Sequence, residues 1–256
     1  MVKAPVSIGA LRRLIKELQA ADNREPLAIG GATEIARMLE RELTRGGDPA
    51  AVRFGAPQGA ALYVHIATGA DEAALRGARR ARVPIVAVAF DDAPLPYVLA
   101  TDVVRVGPGE RMPVDRIAAA VAARLGESGA PLAGRLPALR GAVCDRIVAS
   151  FARKNGIVGA AVFVPGADLP VLALNQVRML LLLDQAYGLE LDPRQRLPEI
   201  LAAVGAGLGL RTVARELLDL VPVAGWAVKG GVAYAGTRAL GEAAVKRLEA
   251  VHSTHL

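Results

Sequence analysis

The sequence predicts two unlike halves in one chain: an α/β unit in three layers around a mostly parallel sheet, then an all-α bundle of helical hairpins. Two observations carry that prediction. Between residues 24 and 126 short apolar runs alternate with helical patterns, and strands separated by single helices return to one sheet in parallel. Past residue 136 the apolar residues recur only at helical spacing, and a turn-rich stretch at 126–136, Gly-Glu-Ser-Gly-Ala-Pro-Leu-Ala-Gly-Arg-Leu, separates the two periods. The expected division is an α/β domain over 1–128, a linker over 129–145 and a glycine-rich helical domain over 146–256.

Ser7 is placed to cap a first helix, in which Leu11, Leu14, Ile15 and Leu18 form one apolar stripe beside Arg12, Arg13 and Lys16. Such a cationic amphipathic helix lies on a membrane or, the plainer expectation, docks on its own protein. Charges inside this stretch do not fit a signal peptide. Strands are then expected at 27–30, 51–54, 61–67, 84–90 and 102–106, and helices at 33–43, 71–82 and 114–125. Thr68, with Asp71 three residues on, reads as the cap of the 71–82 helix, and Pro113 opens the 114–125 helix. Ligands of such sheets sit at the carboxyl ends of the strands, which places Gly30-Gly31, residues 65–69 and Asp91-Asp92 on one rim. In the second half helices are expected at 139–151, 156–164, 169–187, 198–220 and 225–251. None holds the run of about eighteen apolar residues that a spanning helix needs.

Hydrophobic residues make up 53% of the 256 but aromatics only 4%, so the apolar content is Ala, Val and Leu, small enough for helices to approach closely. The net charge of +6 is spread evenly: residues 1–145 carry 19 basic and 16 acidic side chains and the remainder 12 and 9, which is +3 each. That evenness argues against a nucleic-acid face, which needs clustered cations and stacking rings. A mild attraction to anionic lipid remains. The single cysteine, Cys144, allows no internal disulfide and fits a reducing, cytoplasmic setting, where it reads as a small buried hydrophobe.

No catalytic constellation is legible, and no cofactor or metal site is expected. A phosphate loop needs Gly-x4-Gly-Lys-Ser/Thr after the first strand; here Gly30-Gly31-Ala-Thr-Glu-Ile-Ala-Arg37 lacks the second glycine, the lysine and the hydroxyl at that spacing, and offers the carboxylate of Glu34 instead. An unorthodox nucleotide site built from Gly30, Gly31, Thr33 and Asp92 is the alternative. Asp91 and Asp92 point opposite ways along the chain and read as a solvated loop, and His65 as a hydrogen-bonded structural histidine. His252 and His255 lack the carboxylate support a metal needs.

Two further groups stand out in the second half. Asp168, Asn175, Arg178 and Gln185 sit in an apolar stretch, where their polar groups need one another or a neighbouring helix as partners. They form a polar lock in a helical bundle or, more plainly, Arg178 and Gln176 lie on a wet face. Gly205, Gly209, Gly225, Gly230, Gly236 and Gly241 each cost a helix about 1 kcal/mol relative to Ala and read as close-packing sites or contacts with a membrane.

On these residues the chain resembles two known patterns. Pro165-Gly166-Ala167-Asp168-Leu-Pro170, Asn175-Gln176-Val-Arg178-Met179, Ala186-Tyr187-Gly188 and the run from Val221-Pro222 through Lys229-Gly230 to Ala239-Leu240-Gly241 resemble the YcjF-like family of bacterial helical domains. That resemblance covers somewhat over a third of the chain and implies membrane or partner association without catalytic residues. The first half is similar in order to a degenerate Era-type P-loop GTPase domain, with Gly30 to Arg37 at the phosphate loop, His65 to Gly69 at the magnesium-associated strand end and Phe90-Asp91-Asp92 at the guanine-reading motif. Each departs from the pattern, so the resemblance implies ancestry without GTP hydrolysis. The expectation is a non-catalytic pseudo-GTPase-like protein, cytoplasmic and peripheral to membrane, whose residues 146–256 meet a membrane surface or a protein partner. The alternatives are a nucleotide-binding switch and a soluble homo-oligomeric scaffold.

Overall fold

A computed structural model describes residues 8–20, 24–161, 169–190 and 225–253. The chain divides into two compact units, Asp22–Arg146 with Ala186–Gly188, and Met1–Ala21 with Ile147–Gln185 and Leu189–Leu256.

The α/β unit is built on five parallel strands in the order β2-β1-β3-β4-β5. They are β1 (Leu27–Gly31), β2 (Val52–Phe54), β3 (Leu62–Ile66), β4 (Ile85–Ala89) and β5 (Val103–Arg105). This is the doubly wound, flavodoxin-like order, in which the chain turns outward in opposite directions from β1 and β3. Right-handed crossovers then put α2 (Thr33–Thr44), which leads from β1 to β2, and α3 (Glu72–Arg80), which leads from β3 to β4, on opposite faces. α4 (Val114–Leu125) joins α2. Strand side chains alternate between the two faces. Ala28, Tyr63 and Ile85, partners in register, therefore form one core with Leu75 and Ala78 of α3.

The face that carries α3 lacks the helices that usually return a chain to a parallel sheet. The β2–β3 crossover is the loop 55–61, and 90–102 joins β4 to β5 with a single 3-10 turn at Ala100–Asp102. Among the described residues α3 therefore stands alone on this face, with loops on either side.

The expected linker does not exist as one. Residues 130–135 form α5 and Pro137 opens α6 (Pro137–Ala161), with Ala130, Pro131, Leu132, Ala133, Leu136 and Leu139 buried. Pro131 at an early helical position, with no N–H to satisfy, starts a helix in a stretch whose glycines and prolines read as loop. Arg135 ties this segment down: its guanidinium bonds Asp48 at 3.0 Å and the Arg24 carbonyl at 2.9 Å. Asp48 is held below the ordinary carboxyl range by the Ala50 N–H and then by Arg135, against a small opposing effect of burial. Arg140 closes the far end of α7, donating to the Ala186 carbonyl at 3.3 Å with its guanidinium 4.8 Å from the Tyr187 ring centre.

The helical unit contains α1 (Ile8–Ala20), the later part of α6, α7 (Leu169–Ala186) and α8 (Gly225–Ser253). The stripe Leu11, Leu14, Ile15 and Leu18 is buried, so α1 docks on its own protein as the plainer reading holds. The two short helices expected at 139–151 and 156–164 are continuous as far as Ala161, where Gly156 makes a close crossing with α8 and residues 162–164 lie outside the described residues. Among the described residues no helix is long and apolar enough to cross a membrane.

Candidate functional site

A cleft of about 390 Å³ opens beside α3, between the carboxyl end of β1 and the chain leaving β2. Its floor is Gly30 and Tyr63. One wall is Ala73, Ala74 and Gly77 of α3, the other the β2–β3 crossover from Phe54 to Gln58, with Gly31 and Thr33 at the rim. Three residues expected to share a site, Gly30, Gly31 and Thr33, are brought together. Asp92 is not: its side chain is 98% exposed in the loop after β4, 3.4 Å from Arg105.

The paired glycines answer to packing inside the sheet. A Cβ at Gly30 would lie 2.3 Å from the Tyr63 hydroxyl. At Gly31 it would lie 1.8 Å from the Ile66 carbonyl, and φ is +96° there, a left-handed conformation that side chains resist. Both positions demand glycine with no ligand present. Among the lining residues none carries a Lys or Arg. The nearby Arg53 bonds the Ala56 and Gln58 carbonyls at 2.8 and 2.5 Å, and so fastens the crossover wall.

Beneath the cleft runs a buried polar chain that the sequence pattern reveals only in part. Tyr63 and His65, two apart on β3, share a face. The His65 ring nitrogens lie 3.1 Å from the Tyr63 hydroxyl and 2.8 Å from Asp71, and all three residues are buried. Asp71 also accepts from Thr68 N at 2.8 Å, Thr68 Oγ1 at 2.7 Å and Gly69 N at 3.0 Å. The carboxylate can only accept, so His65 Nε2 carries a proton toward Asp71. Burial pushes Asp71 up, but the bonds from Thr68, His65 and Gly69 outweigh it and hold the carboxyl below its ordinary range. Burial, aided by the Asp71 charge, pushes Tyr63 up, so its hydroxyl stays protonated. The structural reading of His65 holds. The cap expected at Thr68 is inverted: the helix begins at Glu72, and Asp71 turns its carboxylate back onto Thr68 and Gly69.

On the other side of α3 a second cleft, of about 580 Å³, is lined by residues 69–73, Arg76 and residues 93–96. Its cation, Arg76, is engaged with Glu72 and, at 3.3 Å, with Tyr97. Asp71 lines this cleft and Tyr63 the first, so the polar chain spans the ground between the two.

In the helical unit one member of the expected polar group, Asn175, joins a buried hydrogen-bonded cluster. Asn175 donates to Asn155 at 2.8 Å, Asn155 to Thr237 at 2.9 Å, and the Gln176 amide stands 3.4 Å from Thr237, which links α6, α7 and α8. Gln176 is 2% exposed, which overturns its placement on a wet face. Arg178 and Gln185 lie further along α7 and are half-buried, and Asp168 lies outside the described residues. Thr237 is the missed member; a lone threonine among glycines on a long helix gives no periodic signal.

The glycines divide likewise. A Cβ at Gly230 would meet the Gly156 carbonyl at 2.9 Å, and one at Gly241 would meet Val148 at 2.7 Å, so both are close-packing sites. Gly236 is not, since its added Cβ would meet nothing within 4 Å. Gly225 opens α8, while Gly205 and Gly209 lie outside the described residues. Gly156 and Gly159 are the partners that α6 supplies, Gly159 facing Ala233 and the Lys229 carbonyl. Among the described residues no cluster of His, Cys, Asp and Glu could hold a metal ion. Comparison with known protein families, with curated proteins and with solved structures finds no match.

Proposed function

We propose that the chain is a non-catalytic association protein whose helical unit meets an anionic membrane surface at one end. The observation that carries this reading is the exposure of Ile157, Val171 and Tyr234, at 63%, 48% and 38%, around the end where α6 crosses α8. Gly156 and Gly159 of α6 face Tyr234 and Ala233 of α8, and Val171 lies one turn before Asn175, which bonds Asn155. Arg153, Lys154 and Lys229 are exposed at the same end. Apolar side chains ringed by cations suit the headgroup region of an anionic bilayer. The close-packing glycines, by contrast, are consumed inside the unit and offer nothing to lipid. Support for an Era-type GTPase ancestry comes from motif order alone; the flavodoxin-like strand order supplies none. Flotation of the full chain with phosphatidylglycerol vesicles tests the reading. The protein should rise with the vesicles, and Ile157→Asp with Tyr234→Asp should leave it at the bottom. A wild-type chain that stays at the bottom, or one that light scattering shows to be a dimer closed by those same residues, defeats it.

A further inference from the structure

We propose that the outer face of α3, with the loop beside it, is a docking surface for an acidic segment of a protein partner. Arg76, Arg79 and Arg80 stand at i, i+3 and i+4 on the helix and are exposed, while Leu75 and Ala78 are buried on the opposite side. Arg82 follows, also exposed. Arg76 is engaged by Glu72, but the guanidinium groups of Arg79, Arg80 and Arg82 form no ion pair or hydrogen bond with another described residue. Unanswered cations packed this closely call for an anion. Backbone strain marks the same face. Among the described residues two that are not glycine take a positive φ, Arg82 at +58° and Tyr97 at +66°, and both border α3. Arg82 stands just past the helix end, where a left-handed residue, ordinarily glycine, closes the turn: its N–H bonds the Arg79 carbonyl and the Val83 N–H bonds the Ala78 carbonyl, each at 3.1 Å. Tyr97 is 45% exposed with its hydroxyl 3.3 Å from Arg76 Nε, and Leu99 of the same loop is 59% exposed. Holding an arginine where glycine fits better costs stability, which contact with a partner offsets. Arg79, Arg80 and Arg82 line neither of the two clefts, which selects an extended partner over a small anion. A fluid bilayer meets charge wherever it stands and gives no reason to fix it in a strained backbone. A partner with fixed carboxylates does, because the guanidinium fork is directional. Tyr97 and Leu99 supply the aromatic and apolar contacts of a protein interface. A nucleic acid needs rings along a groove or side chains that read base edges, and Tyr97 is the one ring named on this face.

Arg82 separates recognition from folding. The full chain is titrated, by fluorescence anisotropy, into a labelled acidic peptide of three glutamates to each leucine and into its glutamine counterpart. The acidic peptide should bind with a micromolar to millimolar dissociation constant, and the glutamine peptide should not bind. Arg82→Gly should weaken binding about threefold while raising the unfolding temperature by a few degrees, since glycine suits that turn. Arg79→Gln with Arg80→Gln and Arg82→Gly should weaken it at least about tenfold. Arg41→Gln with Arg111→Gln and Arg146→Gln, exposed arginines elsewhere whose loss lowers the net charge equally, should leave it within about twofold. Any of four results overturns the assignment: no binding of the acidic peptide, equal weakening by the two triple variants, an Arg82→Gly chain that is more stable and binds as before, or vesicle flotation or duplex DNA binding that the first triple variant abolishes, which would assign the patch to phosphate. The peptide assay leaves Ile157 and Tyr234 untouched, so this surface and the association reading stand or fall separately.

Discussion

Replacing the buried Asp71 with alanine should destabilise the α/β unit well beyond an ordinary surface change. The carboxylate accepts four hydrogen bonds, two from Thr68 and one each from Gly69 and His65. Thr68 and Gly69 are exposed and recover most of their bonds from water. His65 is 2% exposed and cannot, so its Nε2–H is left stranded at a cost of about 1–3 kcal/mol. Adding about 1 kcal/mol for the charge-assisted bonds at the turn gives a loss of roughly 2–4 kcal/mol, a fall of about 8–16 °C for a unit of this size. The assay is thermal and urea unfolding of the full chain at neutral pH, followed by circular dichroism. Asp71→Asn, which keeps one acceptor oxygen, should recover about half the loss. The pH dependence has a definite sign. Folding holds this carboxyl below its ordinary 3.8, so its contribution is complete above 3.8 and drains away as pH falls through the lower folded value. The gap between wild type and Asp71→Ala should therefore be flat from about pH 8 to 5 and close only in strong acid. A variant within about 0.5 kcal/mol of wild type at neutral pH, the range of an ordinary surface change, would refute the buried relay.

Three further outcomes follow from the packing. Gly31→Ala, whose Cβ would lie 1.8 Å from the Ile66 carbonyl, should lose about 4 kcal/mol or more and fail to give soluble folded protein; Gly30→Ala should cost about 2–3 kcal/mol, and Tyr63→Phe in the same chain should remove part of that cost, as a double-mutant cycle would show. In α8, Gly230→Ala should cost about 1–3 kcal/mol by crowding, whereas Gly236→Ala should stabilise by up to about 1 kcal/mol, both read as urea midpoints. In the buried polar cluster, Gln176→Leu should change stability by less than about 1 kcal/mol, because Gln176 Oε1 has no partner and the amide contact is 3.4 Å long; Asn155→Leu, which strands Asn175 and Thr237, should cost about 2–3 kcal/mol in the same measurement.

Much of the α/β unit is legible from periodicity because the central strands are short, mostly apolar runs and each helix a stripe. Leu62–Ile66 and Ile85–Ala89 fall inside the expected strands, Leu27–Gly31 runs one residue past the strand expected at 27–30, and Thr33–Thr44 and Val114–Leu125 match the expected helices almost residue for residue. The segment 129–145 was illegible because its helical signal lies in buried Ala, Pro and Leu between turn formers, and burial is a tertiary fact. For the same reason Gly30-Gly31 misleads. A glycine pair after a first strand is what a phosphate loop and a crowded strand pair have in common, and only the distances to Tyr63 and Ile66 distinguish them. Gln176 shows the reverse case: a long polar side chain reads as solvent-facing until three helices are seen to close over it.

The cleft, finally, follows from how early β2 ends. Phe54 pairs with Ile29, and Ile29 pairs with Val64, so the chain leaving β2 needs to climb back only to Leu62 while crossing β1. That is about 7 Å along the strand and 10 Å across two strand spacings, a path of about 12 Å. Residues 55–61 span it with slack, and no helix is required to make the return. A longer β2 would demand a longer return and the helix that usually supplies it, and that helix would lie where the cleft now opens beside α3. The residues beneath agree with an uncovered position. β1 presents Ala28 and Gly30 to this face, where a packed helix would call for larger partners, and Tyr63 leans across into the room Gly30 leaves. Lengthening the crossover by a helical insertion between Ala56 and Pro57 should therefore be tolerated by the fold and should occlude the cleft. An insertion that unfolds the unit would show instead that the short loop, fastened by Arg53, is part of the core.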